Sequence, residues 1–161
     1  MSDIQIYTDG GCSGNPGPGA WAYIILRGPD RWSASAAAPD TTNNRMELSA
    51  VIAALAEVAS RPEWASSSLE VYTDSEYVQK GITRWIRAWE SNGWRTSSKQ
   101  PVKNQDLWQR LESALARHRV EWHWVRGHSG DPGNERADQL ARQAVRAARD
   151  GGPPGSRETR G

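Results

Sequence analysis

The sequence has no phenylalanine, two methionines and a single cysteine. One cysteine, Cys12, excludes an intramolecular disulfide and leaves no cysteine cluster to hold zinc. Neither staple is needed, because a 161-residue chain buries roughly two-thirds of its unfolded surface on folding. No apolar run approaches the ~20 residues that span a bilayer. The start, Met1-Ser2-Asp3, is acidic and runs directly into a strand pattern, so no signal peptide is read there. These absences set the expectation of one soluble, cytoplasmic, monomeric globular protein. Net charge is also small, at +1. The halves differ, however. Residues 1–75 hold four Arg against nine Asp and Glu, whereas residues 76–161 hold sixteen Lys and Arg against ten acids. A basic second half hints at a polyanionic partner, although a mixed solvated surface has the same composition.

Nine tryptophans take the place of the absent phenylalanine. Tryptophan carries a flat face and an N–H, so it serves cores and nucleic-acid surfaces alike. Ile4–Asp9 alternates apolar and polar and reads as a strand. A glycine-rich stretch, Gly10–Gly19, reads as a turn, and Ala20–Leu26 and Arg31–Ala37 read as a hairpin around Gly28-Pro29-Asp30. Leu48, Val51, Ile52, Leu55 and Val58 recur at helical spacing within 44–60. Leu69–Asp74 is a fourth strand, and it ends in the same Tyr-Thr-Asp as the first. Short helices rich in Trp and base are expected over 75–95, a helix over 104–118, and a fifth strand over 120–125. A last helix opens at Pro132 and runs to Arg149. The Gly/Pro-rich tail, 150–161, is expected to be disordered. The order predicts one α/β domain over residues 1–149, with a mixed sheet flanked by helices.

Four carboxylates need an explanation. A strand–helix–strand crossover makes the first and fourth strands parallel, so Asp9 and Asp74 end at one sheet edge. Each alone is also an ordinary turn former. Glu47 stands three residues after Asn44, which fits a capping box as well as a site at that edge. Asp138 lies beside Ala141 and Val145 on the inward side of the last helix, where a carboxylate needs a partner, a cation or a wet edge. Four oxygen ligands would suit Mg²⁺ or Mn²⁺. His128, in a glycine-flanked loop, could carry a proton or simply be a surface histidine. Trp85, Trp89 and Trp94 among Lys80, Arg84, Arg87, Arg95, Lys99 and Lys103 suit a nucleic-acid surface, or pack inward at helical spacing.

Five segments taken together resemble the bacterial type 1 ribonucleases H. They are Asp9–Gly19, Thr42–Leu48, Thr73-Asp74-Ser75, Gly127–Gly130 and Asn134–Asp138. Their order and spacing are similar over residues 3–149. The resemblance implies a ribonuclease H-like fold with a five-stranded mixed sheet, and hydrolysis of the RNA strand of RNA–DNA hybrids to 5′-phosphate and 3′-hydroxyl ends. It implies Asp9, Glu47, Asp74 and Asp138 as ligands of two Mg²⁺, and His128 as an aid to proton transfer or product release. Cys12, Asn15, Asn43, Asn44 and Asn104 match positions near the hybrid backbone. Trp85, Trp89 and Trp94 match a protrusion that holds the DNA strand. Two departures stand out. Trp89-Glu90-Ser91-Asn92-Gly93-Trp94 replaces a basic run in the protrusion, which predicts a shallower salt dependence of hybrid binding. Glu76 replaces an amide at the minor groove, and a carboxylate cannot donate a hydrogen bond there. The competing readings are a DNA nuclease of the same fold and a non-catalytic hybrid-binding module.

Overall fold

A computed structural model of the chain describes residues 3–96, 98–125, 132–149 and 155–160. Three antiparallel strands open the fold: β1 (Ile4–Cys12), β2 (Gly17–Arg27) and β3 (Asp30–Thr41). The helix α1 (Asn43–Ala59) then crosses over to β4 (Ser68–Thr73), which lies parallel to β1. Three short pieces follow: α2 (Glu76–Lys80), a π-helical turn over Gly81–Trp85, and α3 (Ile86–Ser91). The helix α4 (Gln105–Leu115) leads to β5 (Arg119–Trp124), parallel to β4, and α5 (Pro132–Arg149) closes the expected architecture. The sheet order is β5-β4-β1-β2-β3-β6. The five expected strands are thus present in one mixed sheet. Among the described residues, no helix is long and apolar enough to cross a membrane.

The sixth strand corrects one expectation. β6 (Gly155–Arg160) pairs antiparallel with β3, from Arg31↔Arg160 to Ala36↔Gly155, so the tail segment read as disordered holds a strand. The physical reason is an unfilled sheet edge: β3 presents free backbone groups that a nearby segment of any composition can pair with.

The sheet carries a layer on each face. On one face Ile4, Ile6, Leu69 and Val71 are fully buried against Leu48, Val51, Leu55 and Val58 of α1, and Trp108 and Leu111 of α4 join the same core. On the other face Ala22 and Ile24 meet Ala137, Leu140 and Ala141 of α5. Small alanines on both partners let that helix sit close to the strands, where its half-buried edge can reach the end of β1.

The glycine-rich stretch is mostly strand. β1 continues through Cys12 and β2 begins at Gly17, so only residues 13–16 turn. Gly10 permits the continuation. A Cβ there would lie 2.5 Å from the Met46 carbonyl carbon and 2.6 Å from the Glu47 nitrogen, so only glycine lets α1 approach the strand. Gly81 similarly leaves room for the Trp108 ring.

Candidate active site

Strand phase brings the first two carboxylates together. The pairing of Ile4 with Leu69 and Tyr7 with Tyr72 carries Asp9 to the level of Asp74. Alternation does the rest. Thr8 and Thr73 are buried in the core, while Tyr7 and Tyr72 stack at 4.6 Å on the opposite face, so both aspartates leave their strands in the same sense. Ring stacking continues from Tyr72 to His123 at 4.5 Å.

Glu47 comes from α1. Its cap is Thr42, whose hydroxyl accepts from the Arg45 N–H, so Glu47 lies beyond the first turn and is not the partner of a capping box on Asn44. It is 7% exposed, and its Oε1 has no hydrogen-bond partner. Ligand oxygens of Asp9, Glu47 and Asp74 all lie within 4.8 Å of one another. Asp138 joins from α5, hydrogen-bonded to Asp9 and ion-paired to Arg142 Nε at 3.0 Å. It is half-buried, so the wet-edge and buried-partner readings of this residue are each partly right.

Such crowding holds protons. Burial, then the charges of Glu47 and Asp74, push the Asp9 carboxyl up to about 9. Burial and Asp74 push Glu47 up to about 8, against the Gly10 N–H and the Ser75 hydroxyl, which hydrogen-bond it and pull it down. Like charges this close cannot all ionise unless something positive joins them. The orphaned Glu47 oxygen and an all-carboxylate donor set fit a hard divalent cation, with Asp9, Glu47, Asp74 and Asp138 as the residues that would hold it.

A groove of about 350 Å³ runs over this cluster, lined also by Asn43, Asn44, Ser75 and Glu76. Glu76 is exposed there, at the start of α2. A second cavity of about 390 Å³ lies beside Asp9 and Asp138 and includes Cys12 and Asn43. The Cys12 thiol donates to the Gly17 and Thr41 carbonyls, and burial pushes it up. Asn15 accepts from the Asn43 N–H. Asn104 lines neither space. It takes a left-handed backbone (φ 61°), donates to the Tyr77 hydroxyl and accepts from Arg45. His128 lies outside the described residues.

Trp85, Trp89 and Trp94 are half-buried and packed together. Trp85 meets Trp89 at 5.7 Å, Trp89 meets Trp94 at 6.0 Å, and Trp89 also touches the buried Trp108 at 5.5 Å. They therefore pack inward in part and leave part of each ring exposed. Arg84, Arg87, Arg95, Lys99 and Lys103 around them are exposed. Sequence reasoning missed Ser75, whose signal was its place immediately after Asp74. It also missed Arg142, four residues after Asp138, a spacing that places both on one helix face.

A ribonuclease H family model matches residues 1–146. The chain is 55% identical over 147 residues to a ribonuclease H of Verminephrobacter eiseniae, covering 90% of this chain and 92% of that one. It is 57% identical to ribonuclease HI of Pseudomonas aeruginosa, covering 88% and 93%. Among solved structures, LC9-RNase H1, a type 1 enzyme with a type 2 active-site motif, superposes with a TM-score of 0.80 at 34% identity, covering 92% of this chain and 74% of that one. Strand register, the carboxylate cluster and these likenesses over nearly the whole chain agree: this protein belongs to the ribonuclease H family, among its bacterial type 1 members.

Proposed function

We propose that the chain is an endonuclease that hydrolyses the RNA strand of RNA–DNA hybrids, leaving 5′-phosphate and 3′-hydroxyl ends. The observation that carries this reading is the convergence of Asp9, Glu47 and Asp74 within 4.8 Å at one sheet edge, with Asp138 bonded to Asp9. Membership of the family supports the substrate class. Two Mg²⁺ ions, with Mn²⁺ as a substitute, would neutralise phosphate charge and lower the cost of forming the nucleophile and the leaving oxygen.

The chain's own residues supply position and charge. The close approach of α1 to Gly10 sets where Glu47 lies relative to Asp9, and their oxygens come within 4.8 Å of each other. Asn43, Asn44 and Asn15 offer amides to the hybrid backbone beside the cluster, and Glu76 faces the same groove. Cys12 lines the adjoining cavity. The Trp85–Trp89–Trp94 cluster acts as a scaffold that presents exposed Arg84 and Arg87 to the DNA strand. Asn104 acts by orienting Tyr77 and Arg45. His128 is assigned proton transfer or product release. Contacts of this kind address the backbone and the 2′-hydroxyl, so cleavage is largely independent of sequence. We place the protein in the cytoplasm as a monomer.

The test is cleavage of a uniform hybrid labelled on the RNA strand, with Mg²⁺ and with EDTA, beside double-stranded RNA and double-stranded DNA. Cleavage of hybrid RNA alone, lost in EDTA, is expected. A protein that retains hybrid in a shift assay but cuts nothing would instead be a binding module.

A further inference from the structure

We propose that Arg142 and Arg146 form an anion subsite for a phosphate of the RNA strand lying outside the cleaved linkage. Asp138, Arg142 and Arg146 are spaced four residues apart on α5, so they share one face, each about 6 Å further along the axis. All three line the 390 Å³ cavity that also contains Asp9 and Cys12. This cavity is bipolar. Its Asp9 and Asp138 end is anionic and suits cations, and the other end carries two guanidiniums.

Arg142 meets Asp138 through Nε at 3.0 Å. That ion pair engages Nε alone, and the four Nη hydrogens of the guanidinium meet no acceptor among the described residues. Arg146 makes no ion pair among the described residues and is exposed. Apart from Asp9 and Asp138, the rest of the lining is uncharged: Gly10, Gly11, Cys12, Asn43, Ala141 and Val145, with open space above Gly11. An arginine pair with one member tethered to a carboxylate that the mechanism assigns to the cations, and otherwise bordered by uncharged groups, is matched to one phosphodiester of a strand whose neighbouring phosphate sits over the carboxylates. Along the helix the ladder runs away from the cluster, so the phosphate it meets belongs to a flanking nucleotide. That makes Arg146 a positioning residue for the substrate strand.

The inference rests on the hybrid-nuclease reading and is tested separately from it. Arg146→Ala and Arg146→Lys are compared with wild type for KM and kcat on a hybrid carrying single methylphosphonates, walked along the RNA strand in one series and the DNA strand in another. Arg146→Ala is expected to raise KM three- to tenfold with kcat changed less than twofold, and Arg146→Lys to recover part of the loss. One RNA-strand methylphosphonate should erase the difference between wild type and Arg146→Ala. In the Asp9→Asn background, anisotropy titrations against NaCl should show the binding slope reduced by about one upon Arg146→Ala. Equal KM and slope for wild type and Arg146→Ala, or a difference erased only by a DNA-strand methylphosphonate, overturns the proposal. Failure of wild type to cut any hybrid would instead overturn the underlying function.

Discussion

A carboxyl pushed up to about 9 from an ordinary 3.8, as Asp9 is, makes the fold itself sensitive to pH. The folded state holds that proton more tightly than the unfolded chain does. The stabilising contribution is therefore complete below about 3.8 and is lost as pH rises towards about 9, and Glu47 adds a similar loss between 4.5 and about 8. In chelator, Tm should accordingly fall between pH 5 and pH 9, and Mg²⁺ should restore more of it at the alkaline end. Scanning calorimetry with and without the metal checks this, and a Tm independent of both would contradict the cluster. Asp9→Asn removes a carboxyl that is ionised in the unfolded chain and must take up a proton to fold at this pH. At pH 8 in chelator it should raise Tm by about 3 °C, while hybrid cleavage falls by on the order of 10²–10³-fold or more. Glu76 is a simpler case, because it is exposed and lines the groove over the carboxylate cluster, where a phosphate of the proposed substrate would sit. Replacing it with glutamine should lower KM by about threefold, the size of one solvent-screened charge interaction. Steady-state kinetics at low salt reads that change, and an unaltered KM means that Glu76 points away from the substrate.

The elements owe their approach distances to glycine. The Met46–Glu47 backbone lies where a Gly10 side chain would have to be. Gly10→Ala should therefore push α1 outward and carry Glu47 with it. Overpacking of this kind costs about 1–3 kcal/mol of stability, whereas a displacement near 1 Å at reacting groups costs about 10²-fold in rate. The expected result is a folded protein with a modestly lower Tm and a kcat reduced out of proportion. A variant that melts lower but cuts normally would show that α1 can shift without moving Glu47. The α2–α3 region follows the same logic at lower precision. Gly81 lets the chain pass over Trp108, and the tryptophan ladder from Trp85 to Trp94 then fills the space beneath the exposed arginines. Periodicity alone left the two roles of these tryptophans open, because a ring at i and i+4 can pack or stack. Contact with the fully buried Trp108 shows that Trp89 packs inward, while all three rings remain only half-buried.

On the scale of the molecule, the family match stops at residue 146 while the sheet continues to β6. The tail strand therefore lies beyond the matched family domain and covers the outer edge of β3. Deletion after Arg149 should leave hybrid cleavage intact, since β6 pairs at the sheet edge beyond β3, with β2 and β3 between it and β1, which carries Asp9. It should also speed hydrogen exchange at alternate amides of Arg31–Ala36, whose partners it removes. Exchange mass spectrometry and the cleavage assay together check both halves. Unchanged protection in the truncated chain would mean that β6 does not hold the edge in solution.

Much of this was written locally. Alternation in Ile4–Asp9 and Leu69–Asp74, the helical recurrence of Leu48 to Val58, and Pro132 at the start of α5 each depend on a few neighbouring residues, and all lead to elements that the structure contains. The shared Tyr-Thr-Asp endings even carried the phase that aligns Asp9 with Asp74. Other features have no local signature. Whether Gly10 turned or continued its strand depended on a helix thirty-odd residues away. Whether Glu47 capped its helix or entered the site depended on Thr42 taking the cap. The β3 edge acquired a strand from a tail whose composition favours none. Side-chain pattern is a property of neighbours along the chain, and so the sequence by itself determined most of the elements and which face of each is apolar. Approach distance, burial and the mutual repulsion of carboxylates are properties of neighbours in space, and only the tertiary structure decided those.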